Sequence, residues 1–260
     1  MNQTFIYQHG ELIPSPALDT PLLVADSFLV TDGKVRSLNL HLDRFRRGIE
    51  LKCPELEPQL DQFFLAFPKE LPKTGGLFPR LEVRTINNVP TLSLVSREAP
   101  AQLGPATLWT YPEPDPRLDL SVKGPELALG AEIRTKAQQA GADEAILLTK
   151  DGEISEGSLS SLVWWRGDLL CAPGNEIPWL ESVTRTEIFT LALSMNIKTR
   201  FEHVMPQDLI GLEVWLLSSL QGIRPVVNWL NVSSDFASGT HIPQFERRMQ
   251  MLLQELPSVG

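Results

Sequence analysis

The sequence predicts a two-domain protein that mixes strands and helices, and three observations point there. The first hundred residues read as hairpins with two helices, residues 98–119 are proline-rich, and the second half alternates strands with helices. At about 150 residues per domain, 260 residues make one large domain or two small ones. The proline-rich stretch sets the boundary near Leu103, giving domains 1–103 and 104–260.

In the first domain, FIYQ-HG-ELIP reads as a hairpin around His9-Gly10, and SFLVT-DG-KVRSL as a stronger one around Asp32-Gly33, a pair suited to the positive φ angles of a two-residue turn. Asn39 can cap a helix, LHLDRFRRGIEL, that carries Leu42, Phe45 and Ile49 on one face. QLDQFFLAF is a second helix, and RLEVRTI-NN-VPTLSLV a third hairpin with Asn87-Asn88 at its tip. Residues 98–119, with Pro100, Pro105, Pro112, Pro114 and Pro116, read as a linker around one short strand, ATLWTY.

Beyond it, Pro125 stands where a helix can start, ELALGAEIRTKAQQA follows, and Gly141 ends it. EAILLT-KDG-EISEG and LSSLVWW-RGD-LLCAP are strands joined by tight turns. VTRTEIFTLALSM is a helix with Ile188, Leu191, Ala192 and Met195 on one face. EVWLLSS is a buried strand, and FERRMQMLLQEL a final amphipathic helix.

Composition narrows the function. The chain is 42% hydrophobic and 21% charged, a globular balance able to fill a core without metal or disulfide staples. Its net charge of −9 disfavours nucleic acid and anionic membrane surfaces as partners, so an anionic ligand must be met by a local cluster of donors. The N-terminal residues carry neither a basic region nor a long apolar run, and no window nears the ~18 apolar residues of a membrane span. Cys53 and Cys171 lie far apart without metal-ligand spacing. They fit reduced packing residues of a cytoplasmic protein, and no metal is expected.

A few residues carry more than a structural signal. Lys123, in SVKGPEL, is either a solvated lysine or an amine that forms an imine with a carbonyl cofactor. Gly124 and Pro125 beside it would allow a close approach. Glu156, in GEISEGSLSS, is either a turn residue or a carboxylate that keeps a pyridine nitrogen protonated. Ser182 opens a helix with Val183 and Thr184, an arrangement that needs only an N-cap yet also suits a phosphate, because free N–H groups converge at the positive end of the helix dipole. Ser219, after a buried strand, could add a hydroxyl to that anion, and Arg44 reads by default as half of a surface ion pair.

Taken in order, four blocks resemble the fold-type IV family of pyridoxal-phosphate enzymes, which holds branched-chain and D-amino-acid aminotransferases and aminodeoxychorismate lyase. The blocks are HLDRF, VKGPEL, GADEAILLTKDGEISEGSLSSLVWW with its sequel SVTR, and LLSSLQGIRPV; together they run from about Thr20 to Val227, and the last looks most like the lyase branch. The separation of 33 between Lys123 and Glu156 also resembles the family's.

The resemblance implies two α/β domains, with pyridoxal 5'-phosphate in the cleft between them, and a homodimer. It implies that Lys123 is the imine lysine and proton shuttle, that Glu156 pairs with the pyridine nitrogen, and that Arg44, Val183, Thr184 and Ser219 hold the phosphate. It implies an enzyme acting on a small amino substrate, first a class IV aminotransferase and second an aminodeoxychorismate lyase. A third reading is a divergent cofactor-binding protein without turnover. The chain departs from the family pattern at Ser161, where Asn is common, at Ser182, where Gly is common, and at ADSFLV around Phe28. Arg80, Arg84 and Arg97 are candidates for the substrate carboxylate by charge alone.

Overall fold

The structure, a computed structural model, describes residues 2–177 and 179–257. It divides into two units, and the first gathers the described residues of Met1–Ala101, Ser121–Pro125 and Gln250–Gly260. Strands β1 (Gln3–Gln8) and β2 (Glu11–Ser15) turn at His9-Gly10 as the sequence predicts. After β3 (Leu22–Ser27), β4 (Val30–Thr31) and β5 (Lys34–Arg36) form the second hairpin, where Asp32 at φ 48° and Gly33 at φ 74° meet the demand of the turn for positive φ. Helix α1 (Leu38–Lys52) starts before Asn39. Its cap is Ser37 in a left-handed conformation with no side-chain hydrogen bond, so Asn39 lies within the helix rather than at its cap.

Helix α2 (Leu60–Ala66) follows, then β6 (Gly76–Leu77) and the hairpin of β7 (Arg80–Ile86) and β8 (Val89–Ser96) around Asn87-Asn88. One antiparallel sheet runs β2-β1-β8-β7-β3, and α1 packs on β3. The apolar face of α1 explains that packing: Phe45 and Ile49 are fully buried and join Val24, Phe63, Leu81 and Val122 in one core. The end of the chain departs from expectation. The last helix stops early, and Leu253–Glu255 becomes a strand paired with β5 in a second sheet with β4 and β6.

The second unit comprises Gln102–Leu120 and Glu126–Met249. The expected linker contains β9 (Ala106–Pro114), an interior strand. Only its last residues, Pro112 and Pro114, are prolines, so the interior keeps the N–H groups that two parallel neighbours require. The alternation explains the rest, with Ala106 and Leu108 feeding one core and Tyr111 another.

Helix α3 (Leu127–Gln139) leads to β10 (Glu144–Leu148) and β11 (Ile154–Gly157), then β12 (Ser161–Arg166) and β13 (Leu169–Pro173). Helix α4 (Val183–Ser194), β14 (Thr199–Glu202), β15 (Glu213–Ser218), β16 (Gly222–Leu230) and α5 (Ile242–Gln250) complete the run. The mixed sheet has the order β11-β10-β9-β16-β15-β12-β13-β14, with α3 on β9 and β10 and α4 on β14 and β15. Cys53 and Cys171 are free thiols in separate cores, and burial pushes both thiols up, Cys171 to about 12.

The segment Ser121–Pro125, with Lys123, groups with the first unit, whereas the boundary drawn from sequence assigned it to the second. Among the described residues, no helix is long and apolar enough to cross a membrane.

Candidate functional site

Strand β3 organises the site residues of the first unit. The Ala25 N–H donates to the Lys123 carbonyl at 2.6 Å. A Cβ on Gly124 would stand 2.8 Å from the Leu23 carbonyl oxygen, so glycine here lets the lysine segment press against β3. The close approach that Gly124 permits is therefore to the chain's own backbone.

The next residue of β3, Asp26, is fully buried. Its carboxylate accepts from Arg44 Nε at 2.7 Å and from Arg44 Nη2 at 2.9 Å, and His41 Nδ1 lies 2.7 Å from it. His41 and Arg44 are three apart on α1, so they share a face and converge on one carboxylate. Burial alone would raise the Asp26 pKa, but the Arg44 and His41 charges and hydrogen bonds outweigh it and bring it to about 2. Arg44 is thus half of a buried pair, not the surface pair that local sequence suggested. Consecutive residues of one strand hold both Lys123 and Arg44. Arg80 and Arg84 both pair with the buried carboxylate of Glu82. Arg97 reaches the Phe78 carbonyl and the Ser27 hydroxyl, and burial brings its pKa down to about 10.

In the second unit, Glu156 lies buried on β11. Its Oε1 takes the Leu180 N–H at 3.0 Å and Arg117 Nη2 at 2.9 Å. Burial pushes the Glu156 pKa up to about 7, with Arg117 and the Leu180 N–H opposing the rise.

Leu180 precedes α4 by a few residues, so Glu156 is tied directly to the approach to that helix. Ser182 caps α4, accepting the Arg185 N–H at 3.2 Å. Val183 and Thr184 are buried at its first turn, where backbone N–H groups have no partner within the helix. Arg185 is buried with its guanidinium 3.8 Å above the Trp179 ring. Ser219 is half-buried in the turn after β15, on which α4 packs.

The structure therefore ties Glu156, through the Leu180 N–H, to the segment that leads into Val183 and Thr184, and separately joins Arg44 and the Lys123 backbone through β3. Asp26, His41, Asp115, Arg117 and Arg185 escaped the sequence reading. Asp115 and Arg117 lay hidden in the stretch read as a linker, and HLDRF, with His41 and Arg44 three apart, was the available signal for a shared partner.

This donor set suits pyridoxal phosphate. A helix start with free N–H groups fits the phosphate, and a buried carboxylate held by an arginine and a backbone N–H fits a protonated ring nitrogen.

Comparisons with known proteins agree. A probable branched-chain-amino-acid aminotransferase of Synechocystis sp. is 34% identical over 97 residues, 37% of this chain and 32% of the relative. An aminodeoxychorismate lyase of Bacillus subtilis is 31% identical over 99 residues, 37% of this chain and 33% of the relative. The matches thus span about a third of the length of these curated relatives.

Among solved structures, a hypothetical aminotransferase from Mycobacterium tuberculosis in PLP-bound form superimposes with a TM-score of 0.76 at 19% identity, covering 97% of this chain and 98% of the other. The branched-chain aminotransferase from Thermoproteus uzoniensis with norvaline gives a TM-score of 0.76 at 16% identity, covering 95% of this chain and 93% of the other. The fold is thus the two-domain α/β fold type IV that the resemblance implied. The family model for class IV amino-transferases matches residues 23–229, most of the chain, and the protein belongs to that family.

Proposed function

We propose that the protein is a pyridoxal-phosphate-dependent, class IV aminotransferase-like enzyme acting on a small amino substrate, and that it works as a homodimer. The observation that carries this reading is Glu156, a buried carboxylate fixed at one oxygen by Arg117 and by the Leu180 N–H at the approach to α4.

When bound, the cofactor supplies an electron sink for a substrate carbanion. Lys123 would hold it through the side-chain amine, and the same amine would move the proton at the substrate α-carbon. The Glu156 carboxylate would hold the proton on the ring nitrogen. Arg44, the N–H groups of Val183 and Thr184, and the Ser219 hydroxyl bind the phosphate, meeting a dianion in a chain of net charge −9 with local donors. Lysine and glutamate serve transamination and elimination alike. Similarity to the lyase over 99 residues favours elimination as the second reading.

Two variants test the assignment. Lys123→Ala is expected to lose the visible band that borohydride bleaches while keeping non-covalent cofactor binding. Glu156→Gln is expected to keep the band and lose turnover by orders of magnitude, because a neutral amide cannot hold the ring nitrogen protonated. A reducible band surviving in Lys123→Ala would show that another lysine carries the cofactor. Amino-group exchange that needs a 2-keto acid marks the aminotransferase, whereas pyruvate released from aminodeoxychorismate with no keto acid marks the lyase.

A further inference from the structure

The segment after β9 buries a charged side chain beside an exposed one. The Arg117 side chain is 4% exposed, whereas its neighbour Leu118 is 94% exposed. Asp115 anchors the arginine. Its backbone N–H donates to the Leu148 carbonyl at 2.9 Å, which pins the turn to the end of β10. Its carboxylate takes the Arg117 backbone N–H at 3.0 Å, Nε at 2.9 Å and Nη2 at 2.6 Å. Pro116 between them restricts the backbone, so the guanidinium is held before it meets any other partner. The same Nη2 then reaches Glu156 Oε1 at 2.9 Å.

We propose that Arg117 is a positioning residue for the cofactor-binding glutamate. Anchored by Asp115, it fixes Oε1 of Glu156 together with the Leu180 N–H, and so sets how the carboxylate meets the ring nitrogen. This rests on the reading of Glu156 given above.

Groups that act on Glu156 include Arg117, Asp115 and, by attraction through space, Arg185, together with the Leu180 N–H. Arg185 has no hydrogen-bonded acid among the described residues and lies over Trp179, so it contributes charge but no geometry. Arg117 alone supplies both. Removing it takes a charged donor from the buried Glu156, and burial then favours the neutral acid, so that the proton rests on the carboxyl rather than on the ring nitrogen.

The test uses the full chain, stripped of and loaded with pyridoxal phosphate. In stripped protein with isotopically labelled glutamate carboxyls, Glu156 is assigned by its loss in Glu156→Gln. Arg117→Met is expected to raise the midpoint of that carboxyl by about one pH unit or more. It is also expected to weaken cofactor binding about tenfold, a loss that largely vanishes in the Glu156→Gln background.

Arg117→Lys keeps the charge but not the planar fork, so its carboxyl midpoint should stay near wild type while cofactor binding weakens several-fold. An unmoved midpoint in Arg117→Met, or equal losses in both backgrounds, overturns the proposal. If Arg117→Met does not fold, wild-type cofactor affinity in Arg117→Lys overturns it instead. A wild-type chain that binds no pyridoxal phosphate refutes the functional reading, while the titration of the stripped protein still decides whether Arg117 governs Glu156.

Discussion

Asp26 shows how one buried carboxylate sets the geometry of a predicted ligand donor. A lone ionised carboxylate would be costly in this core, and Arg44 and His41 offset that cost. Its folded pKa lies below the ordinary value, so its stabilising contribution is present above about pH 4 and is lost as pH falls toward 2. A shift from 3.8 to about 2 corresponds to about 2 kcal/mol. Asp26→Asn should therefore flatten the acid limb of a stability–pH curve measured by urea unfolding. At neutral pH it should cost roughly 3–5 kcal/mol, since the buried charge-assisted hydrogen bonds from Arg44 and His41 to Asp26 are lost. Unchanged stability at both pH 7 and pH 3 would show that the pair contributes nothing.

At the scale of elements, hairpins were the most legible part of the sequence. A turn such as Asp32-Gly33 is determined by adjacent residues, and β4 and β5 pair as those residues dictate. The limits of α1 and α5 were less legible. Ser37 starts α1 through backbone conformation alone, and the helical pattern expected to run to the end of the chain yields at Leu253 to pairing with β5. The strand ATLWTY was read correctly as β9, but its flanking prolines made its surroundings look like a linker, because its place between β10 and β16 is decided by residues far away in sequence.

The site followed the same rule. The order of Arg44, Lys123, Glu156, Val183, Thr184 and Ser219 was visible in motifs, but the salt-bridge partners Asp26 and Arg117 arise only from tertiary contact. One glycine also belongs to this scale. Gly124→Ala would drive a methyl group against the backbone of β3, which cannot swing aside like a side-chain tip. The expected loss is about 1–3 kcal/mol in urea unfolding, with slower formation of the borohydride-reducible band. A neutral effect on both would mean that the lysine segment does not depend on its contact with β3.

For the whole molecule, cofactor and stability should be linked. A ligand that binds only the folded chain at 100 times its Kd adds about 2.7 kcal/mol. The Glu156 carboxyl, raised by burial to about 7, must lose its proton to serve the ring nitrogen. Its ionised fraction grows as pH rises, so the gain in thermal midpoint on adding pyridoxal phosphate should be larger at pH 8 than at pH 6. Glu156→Gln should reduce that difference. An equal gain at both pH values in the wild-type protein would detach Glu156 from cofactor binding.

The strand Leu253–Glu255 also bears on the order in which a ribosome delivers this fold. It completes a sheet that β5 began at Lys34, so the partner of β5 emerges only after the second unit has been synthesised. Until then β5 presents an open hydrogen-bonding edge, the kind of surface that recruits stray strands. The nascent chain must carry that edge through more than two hundred residues of translation. A chain cut before Leu253 would carry it permanently.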